Sequence, residues 1–356
     1  MHTRRNIGID LLKIVSMLMI VTLHMLGHGG ILEQVPVLSG SYQLAWLLEI
    51  ICYGAVNCYA LASGFLTARC NIRKIMELWM QVIFYSLIIT ILMDCTVLHG
   101  TISREEWIYS FFPVTSRKSW YVTAYFGMMC LMPVIRLAVD YIDQRLYRHM
   151  LMGIFAVYIV LPTLVSYLLQ GTYHPDPVTL NRGYSSLWLC VMYLLGAYIR
   201  KYVDYYAVKK RISLLVFGCM VMITFLSKML MERTGNVENA DVLVDYTSPT
   251  IVLGSIALLM FFVNIRGDSI KIKQMIVTLS GATLGVYLIH DNDLIRNEVV
   301  AHLFEDELIN GMYKWALVKL IIAVPAVYVI CSMVDLIRGK LFECVKRAVA
   351  RRQAIS

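Results

Sequence analysis

Three ionisable residues, Asp10, Lys13 and His24, sit in the first apolar block of this chain. Groups of this kind are costly inside a bilayer and mark function by default. Asp10 and Lys13 are three residues apart, which places them side by side on a helix face and predicts an ion pair. Lys13 and His24 are eleven apart. At about 100° per residue, eleven steps return to within about 20° of the same direction. All three groups then share one stripe, with His24 about 16 Å farther along the helix than Lys13. An acid, a cation and an imidazole on a buried stripe predict a polar cavity through much of the membrane. Histidine is also the side chain best suited to take a proton near neutral pH. A plainer reading fits the same residues: Lys13 snorkelling to lipid headgroups beside Asp10, and His24 bonded to another helix. The stripe alone leaves both open.

His28 lies one turn beyond His24, a spacing that can bind metal. His99, His174 and His290 supply no second motif, and none of the nine cysteines forms a CxxC pair, so no metal site is expected. Most of the cysteines lie within apolar blocks, where cysteine behaves as a small hydrophobe.

The elements that position these groups follow from composition. The chain has 356 residues, 59% hydrophobic and 16% charged. A soluble domain carries about 25% charged residues, so there is too little polar surface here for one. The apolar residues come in blocks of about 20, the length that crosses a hydrocarbon core as helix. Ten such spans are predicted, over about 7–27, 42–66, 75–98, 119–138, 150–169, 184–199, 212–231, 248–265, 274–290 and 313–337. The expected fold is all-α and polytopic: a membrane domain over 1–345 and a basic tail over 346–356. With both termini inside, roughly 22 Lys and Arg fall on inner segments against roughly 8 outside, which the positive-inside rule favours. The net charge of +8 is thus a topology signal with some attraction to anionic lipid, and no nucleic-acid partner is expected. Arg4 and Arg5 precede the first span like a signal peptide, but the apolar run continues without a small-residue cleavage site.

Two further places stand out. The second span ends in Ser63 and Gly64, followed by Arg69, Arg73 and Lys74. Small residues allow helices to approach closely, and the three cations suit either phosphate contact or simple topology. The ninth span ends in His290 and Asp291, a second histidine beside an acid.

Together these pieces resemble the acyltransferase-3 family, bacterial membrane enzymes that acylate sugars of envelope and exported molecules. That family's first helix has an aspartate, then an arginine, ten residues and a histidine; here the series is Asp10, Lys13 and His24. The second helix resembles an F-x-x-x-S-G-F ending, here Tyr59 to Ser63–Gly64–Phe65. Trp120–Tyr121 with Pro133, and Ser280 with Tyr287–Leu288–Ile289–His290, match two more marks in order. Lys13 departs from the family arginine, keeping the charge but losing the planar fork. Arg69 and Arg73 are also spaced four apart, where the family often has two arginines closer together.

The resemblance implies transfer of an acyl group, most often acetyl, from cytoplasmic acyl-CoA to a hydroxyl of an extracytoplasmic or lipid-linked saccharide. Acetyl-CoA would be a co-substrate, with no permanently bound cofactor, and the site would lie in the bacterial cytoplasmic membrane. His24 either takes the hydroxyl proton or carries the acyl group itself, with Lys13 and Asp10 beside it. Arg69, Arg73, Lys74 and Ser63 are expected to bind the donor, and Trp120, Tyr121 and His290 the saccharide or glycolipid acceptor. No extra extracytoplasmic hydrolase-like domain is expected, so a partner or a wholly intramembrane route must complete the transfer. The competing class is a transporter or flippase using the same polar path; a homo-oligomer is left open by the sequence.

Overall fold

The structure, a computed structural model, describes residues 5–68, 71–116, 118–266 and 269–353. It is all-helical among the described residues. The helices are α1 (Ile7–His28), α2 (Gly40–Tyr53), α3 (Ala55–Phe65), α4 (Ile72–Thr96), α5 (Trp120–Tyr141), α6 (Gln144–Leu168), α7 (Ser186–Tyr202), α8 (Lys210–Arg233), α9 (Pro249–Val263), α10 (Ile270–Gly281), α11 (Thr283–His290) and α12 (Tyr313–Gln353). Helices stand at each of the ten places expected. Counting α2 and α3 together, seven spans are long and apolar enough to cross a membrane, or eight if the bent pair α10–α11 forms one span. The helices α7 and α9 are shorter, at 17 and 15 residues.

Local sequence sets the ends. Asn6 caps α1 by accepting from the Ile9 backbone N–H, Ser39 caps α2 through Tyr42, and Asn71 caps α4 through Lys74. Each side-chain oxygen satisfies an N–H that the first helical turn would otherwise leave unpaired. The span expected over 42–66 is broken at Gly54 into α2 and α3. At Gly54 the missing side chain lets Ser255 of α9 approach, since a Cβ there would lie 2.6 Å from its hydroxyl. Within α6, residues 156–160 form a single π-helical turn.

The centre of the bundle is α1. It packs against α2, α3, α9, α10, α11 and α12, and Ile9, Leu12, Val21, Met25 and Leu26 are buried on its several sides. By contrast α6 and α8 expose long apolar rows at the periphery, including Leu161, Leu164, Leu168, Leu214 and Leu215. An apolar exterior around a polar interior is the arrangement that a lipid solvent favours. The residues that carry chemistry in α1 therefore face protein, not lipid.

Helix α3 meets α7 through glycines. A Cβ on Gly64 would come within 1.9 Å of the Tyr193 carbonyl oxygen, and one on Gly196 within 2.1 Å of the Leu61 carbonyl oxygen. Close backbone approach through small residues is the usual way helices associate in lipid. Gly196→Val is expected to destabilise the fold by about 3 kcal/mol, the upper end for an overpacked contact. Gly153→Ala, where nothing lies within 4 Å, should be neutral or slightly stabilising. Thermal unfolding of the detergent-solubilised variants separates the two, and equal midpoints would contradict the seam.

Candidate functional site

A cavity of about 690 Å³ opens beside the C-terminal half of α1. Its wall takes His24 and His28 from α1, Glu49 and Tyr53 from α2, and Trp120 and Tyr121 from α5. Connecting segments add Lys118, Tyr184, Tyr246, Asp291, Asp293 and Arg296.

The core of the site is a chain of polar contacts that ends on backbone. His290 Nδ1 lies 2.7 Å from the Val286 carbonyl oxygen, one turn back on α11. A carbonyl only accepts, so this nitrogen carries the proton. In a neutral ring His290 Nε2 is then the acceptor, and it lies 3.0 Å from His24 Nδ1. His24 must therefore hold its proton on Nδ1, which leaves the Nε2 lone pair unprotonated. The Asp291 carboxylate is 3.3 Å from the same Nδ1 and is bonded in turn by Arg296 at 3.4 Å. This orders the tautomer of an imidazole in the cavity wall and puts a negative charge beside it, which stabilises the imidazolium that proton uptake would create.

The aromatic wall is fixed from behind. Asn57 of α3 donates to the Tyr246 carbonyl oxygen at 2.9 Å and accepts from the Trp188 indole at 2.8 Å. Arg182 donates to Asp245 at 2.6 Å and to Asp241 at 3.3 Å, tying together the two segments that carry Tyr184 and Tyr246. Gly183, just before Tyr184, has φ of +93°, and a Cβ there would meet Tyr246 at 2.4 Å; only glycine fits. Trp120 lies 4.5 Å from Tyr184 and 5.9 Å from Tyr246, centroid to centroid. Tyr287 accepts from Ser119 at 2.7 Å and lies edge-on to Tyr121. Burial pushes the Tyr184 and Tyr246 hydroxyls above the usual phenol range, so both stay neutral. Burial likewise raises the Asp293 carboxyl, while Arg296 works against it.

Several expectations need correcting. Asp10 does not pair with Lys13. It takes Arg5 instead, through Nε at 2.6 Å and Nη2 at 3.0 Å, and Ser280 at 3.1 Å. The guanidinium fork fits both carboxylate oxygens, a geometry that an ammonium lacks. Lys13 is half-buried and has no ion-pair partner among the described residues; its backbone carbonyl accepts from Tyr59 at 2.7 Å. Nor does the cavity run the length of the stripe: on α1 it spans Ile20 to His28, and Asp10 and Lys13 lie outside it. His290 is buried behind His24 and does not line the cavity.

Trp120 and Tyr121 do stand with His24 in the wall. Ser63 turns its hydroxyl back onto the Tyr59 carbonyl at 2.9 Å within its own helix and lies outside the cavity. Arg73 is exposed at the start of α4, pairing with Glu77 at 3.2 Å; Lys74 follows it on the exposed surface. Arg69 lies outside the described residues. Glu49, Tyr53, Tyr184 and Tyr246 were not singled out by the sequence, although Glu49 is an acid within an apolar block and the rule that flagged Asp10 would have found it. His24, His28 and Asp291 offer ligand atoms within 4.8 Å of one another, a grouping to which the sequence contributed only the two histidines.

A family model for an acyltransferase domain matches residues 6–334, nearly the whole chain. Neither the curated proteins nor the solved structures yield a match.

The tautomer chain has a chemical signature. Diethyl pyrocarbonate attacks an unprotonated imidazole nitrogen, so His24 should be modified while His290, with both nitrogens engaged, is spared. Peptide mapping by mass spectrometry reads this directly. Modification of His290 at the same rate as His24 would contradict the chain.

Proposed function

Because the chain belongs to the acyltransferase-3 family, we propose that it is a membrane-embedded O-acyltransferase. On this reading it moves an acetyl group from cytoplasmic acetyl-CoA to a hydroxyl of an extracytoplasmic or lipid-linked saccharide. The observation that carries the reading is His24: a half-buried imidazole, its proton directed onto His290 and Asp291, in the wall of an aromatic cavity. A passive translocation path needs neither a fixed tautomer nor a free ring lone pair.

In the proposed step the acceptor hydroxyl oxygen attacks the thioester carbonyl carbon. Its proton passes to His24 Nε2, and the resulting imidazolium is held by Asp291. The carbon–sulfur bond then breaks, and the thiolate of coenzyme A leaves with that proton. An ester has formed, a thiol is released, and His24 is neutral again. Proton transfer of this kind contributes about 10²–10⁴ in rate. Trp120 and Tyr121 give the sugar ring apolar faces to lie against, and neutral tyrosine hydroxyls supply hydrogen bonds.

Lys13 is about 16 Å from His24 along α1, too far to touch the reacting carbonyl. Its ammonium instead meets negative charge on the donor as it enters from the inner side. Arg73 and Lys74 stand at the end of the bundle where positive charge concentrates, which the positive-inside rule assigns to the cytoplasm. Asp10 serves α1 as the anchor for Arg5 and Ser280, holding the lower half of the helix in register with α10.

Two substitutions test these roles with radiolabelled acetyl-CoA and purified protein. His24→Ala should lower turnover by at least about 10²-fold, with donor binding retained. Lys13→Ala should raise KM for acetyl-CoA, and Lys13→Arg, which restores the family's usual residue, should keep it near the wild-type value. Wild-type turnover in His24→Ala would remove the imidazole from the mechanism. Transport of an unmodified saccharide without acyl transfer would favour the transporter reading.

A further inference from the structure

The proposed step leaves one wall group unused. Glu49 is nine-tenths buried on α2, and one of its carboxylate oxygens has no hydrogen-bond partner among the described residues. The other acids of the cavity are matched: Glu106 with Lys118, Asp291 with Arg296 and His24, and Asp293 with Arg296. Counted over the described wall, four carboxyl groups face two permanent cations, Lys118 and Arg296. A buried carboxylate without a partner is costly, and the cost falls when a cation or a hydrogen-bond donor arrives.

The surroundings narrow the arrival to a cation. Tyr53, which is close in sequence to Glu49, lies 4.8 Å from Tyr246, and Tyr246 lies 5.0 Å from Tyr184, centroid to centroid. With Trp120 these rings form a continuous aromatic wall. The face of an aromatic ring attracts an ammonium group, and tryptophan and tyrosine do so well. An acidic balance, an unmatched carboxylate and four electron-rich rings together make a site for positive charge and repel a phosphate or a uronic acid.

We infer that the acceptor carries a protonated amine, held by Glu49 against the Tyr53, Tyr184, Tyr246 and Trp120 wall. The amine is recognised, not acylated: a protonated nitrogen has no lone pair for attack, so the neighbouring hydroxyl remains the nucleophile. The acceptor class is an amino sugar or a saccharide bearing another basic amine. Its role as acceptor rests on the acyl-transfer reading above, whereas its binding does not.

The test compares glucosamine with glucose as acceptors, at a pH where the amine is protonated, in wild type, Glu49→Gln and Glu49→Asp. Wild type should favour glucosamine roughly tenfold or more in kcat/KM. Glu49→Gln should erase that preference with transfer to glucose kept, and Glu49→Asp should retain part of it. Equal use of the two sugars, or a preference that survives Glu49→Gln, overturns the inference and leaves acyl transfer standing. Calorimetric titration without donor decides the case in which neither sugar is acylated. Tighter binding of glucosamine that is lost in Glu49→Gln upholds the cation site while acyl transfer fails; binding without that difference overturns the site.

Discussion

An imidazole buried within a bilayer has nowhere to place its ring proton except on an acceptor that the protein provides. In this molecule the acceptor is prescribed from the backbone upward. The Val286 carbonyl, one turn back on α11, also accepts from the His290 ring, and this fixes the proton of His290. That choice fixes His24, and the rest of the site takes its chemistry from the result. No charged residue is needed to set the tautomer; Asp291 adds the charge that a transient imidazolium requires. Desolvation makes each link matter more, because an unmade hydrogen bond in a low-dielectric interior costs the full hydration of the group.

The chain of contacts depends on α1, from Asp10 to His24, being held in register with the stretch from Ser280 to His290. α1 and α10–α11 are pinned at one end by Arg5, Asp10 and Ser280, and meet at the other through His24 and His290. Between those points α1 is buried on nearly every side, whereas α6 and α8 present apolar rows at the periphery. The division gives the protein a rigid interior and a lipid-compatible exterior. The aromatic wall is attached to that interior separately, through Asn57 and through the Arg182 pairs, so the wall and the histidine chain are built on different supports.

Much of this was legible in the sequence because membrane helices obey few rules. Block length and charge distribution gave the all-helical class and the place of every long helix. A stripe of ionisable residues pointed to α1, and Trp120–Tyr121 proved to share a cavity with His24. What periodicity does not carry is partnership between helices. The three-residue spacing of Asp10 and Lys13 predicted a pair, but Arg5 competes with a better-shaped donor, and its advantage lies in geometry that spacing does not encode. His290 was read as a terminal, acceptor-facing histidine; only the packing of α11 against α1 turns it into a buried support. Tyr184 and Tyr246 sit in connecting segments with no period at all, brought together by Arg182 and by the positive φ of Gly183. Glu49 is a different case, an acid in an apolar block that the rule for intramembrane charge covers.

The central claim is that His290 sets the protonation of His24 for acyl transfer. The most direct measurement is the steady-state kinetics of His290→Leu, which removes the nearer acceptor for the His24 Nδ1 proton, leaves only Asp291 at 3.3 Å, and fills a similar volume. The account predicts a fall in kcat of about 10²-fold or more, with KM for acetyl-CoA unchanged and the protein folded. An unchanged kcat, or a loss confined to KM, would contradict it.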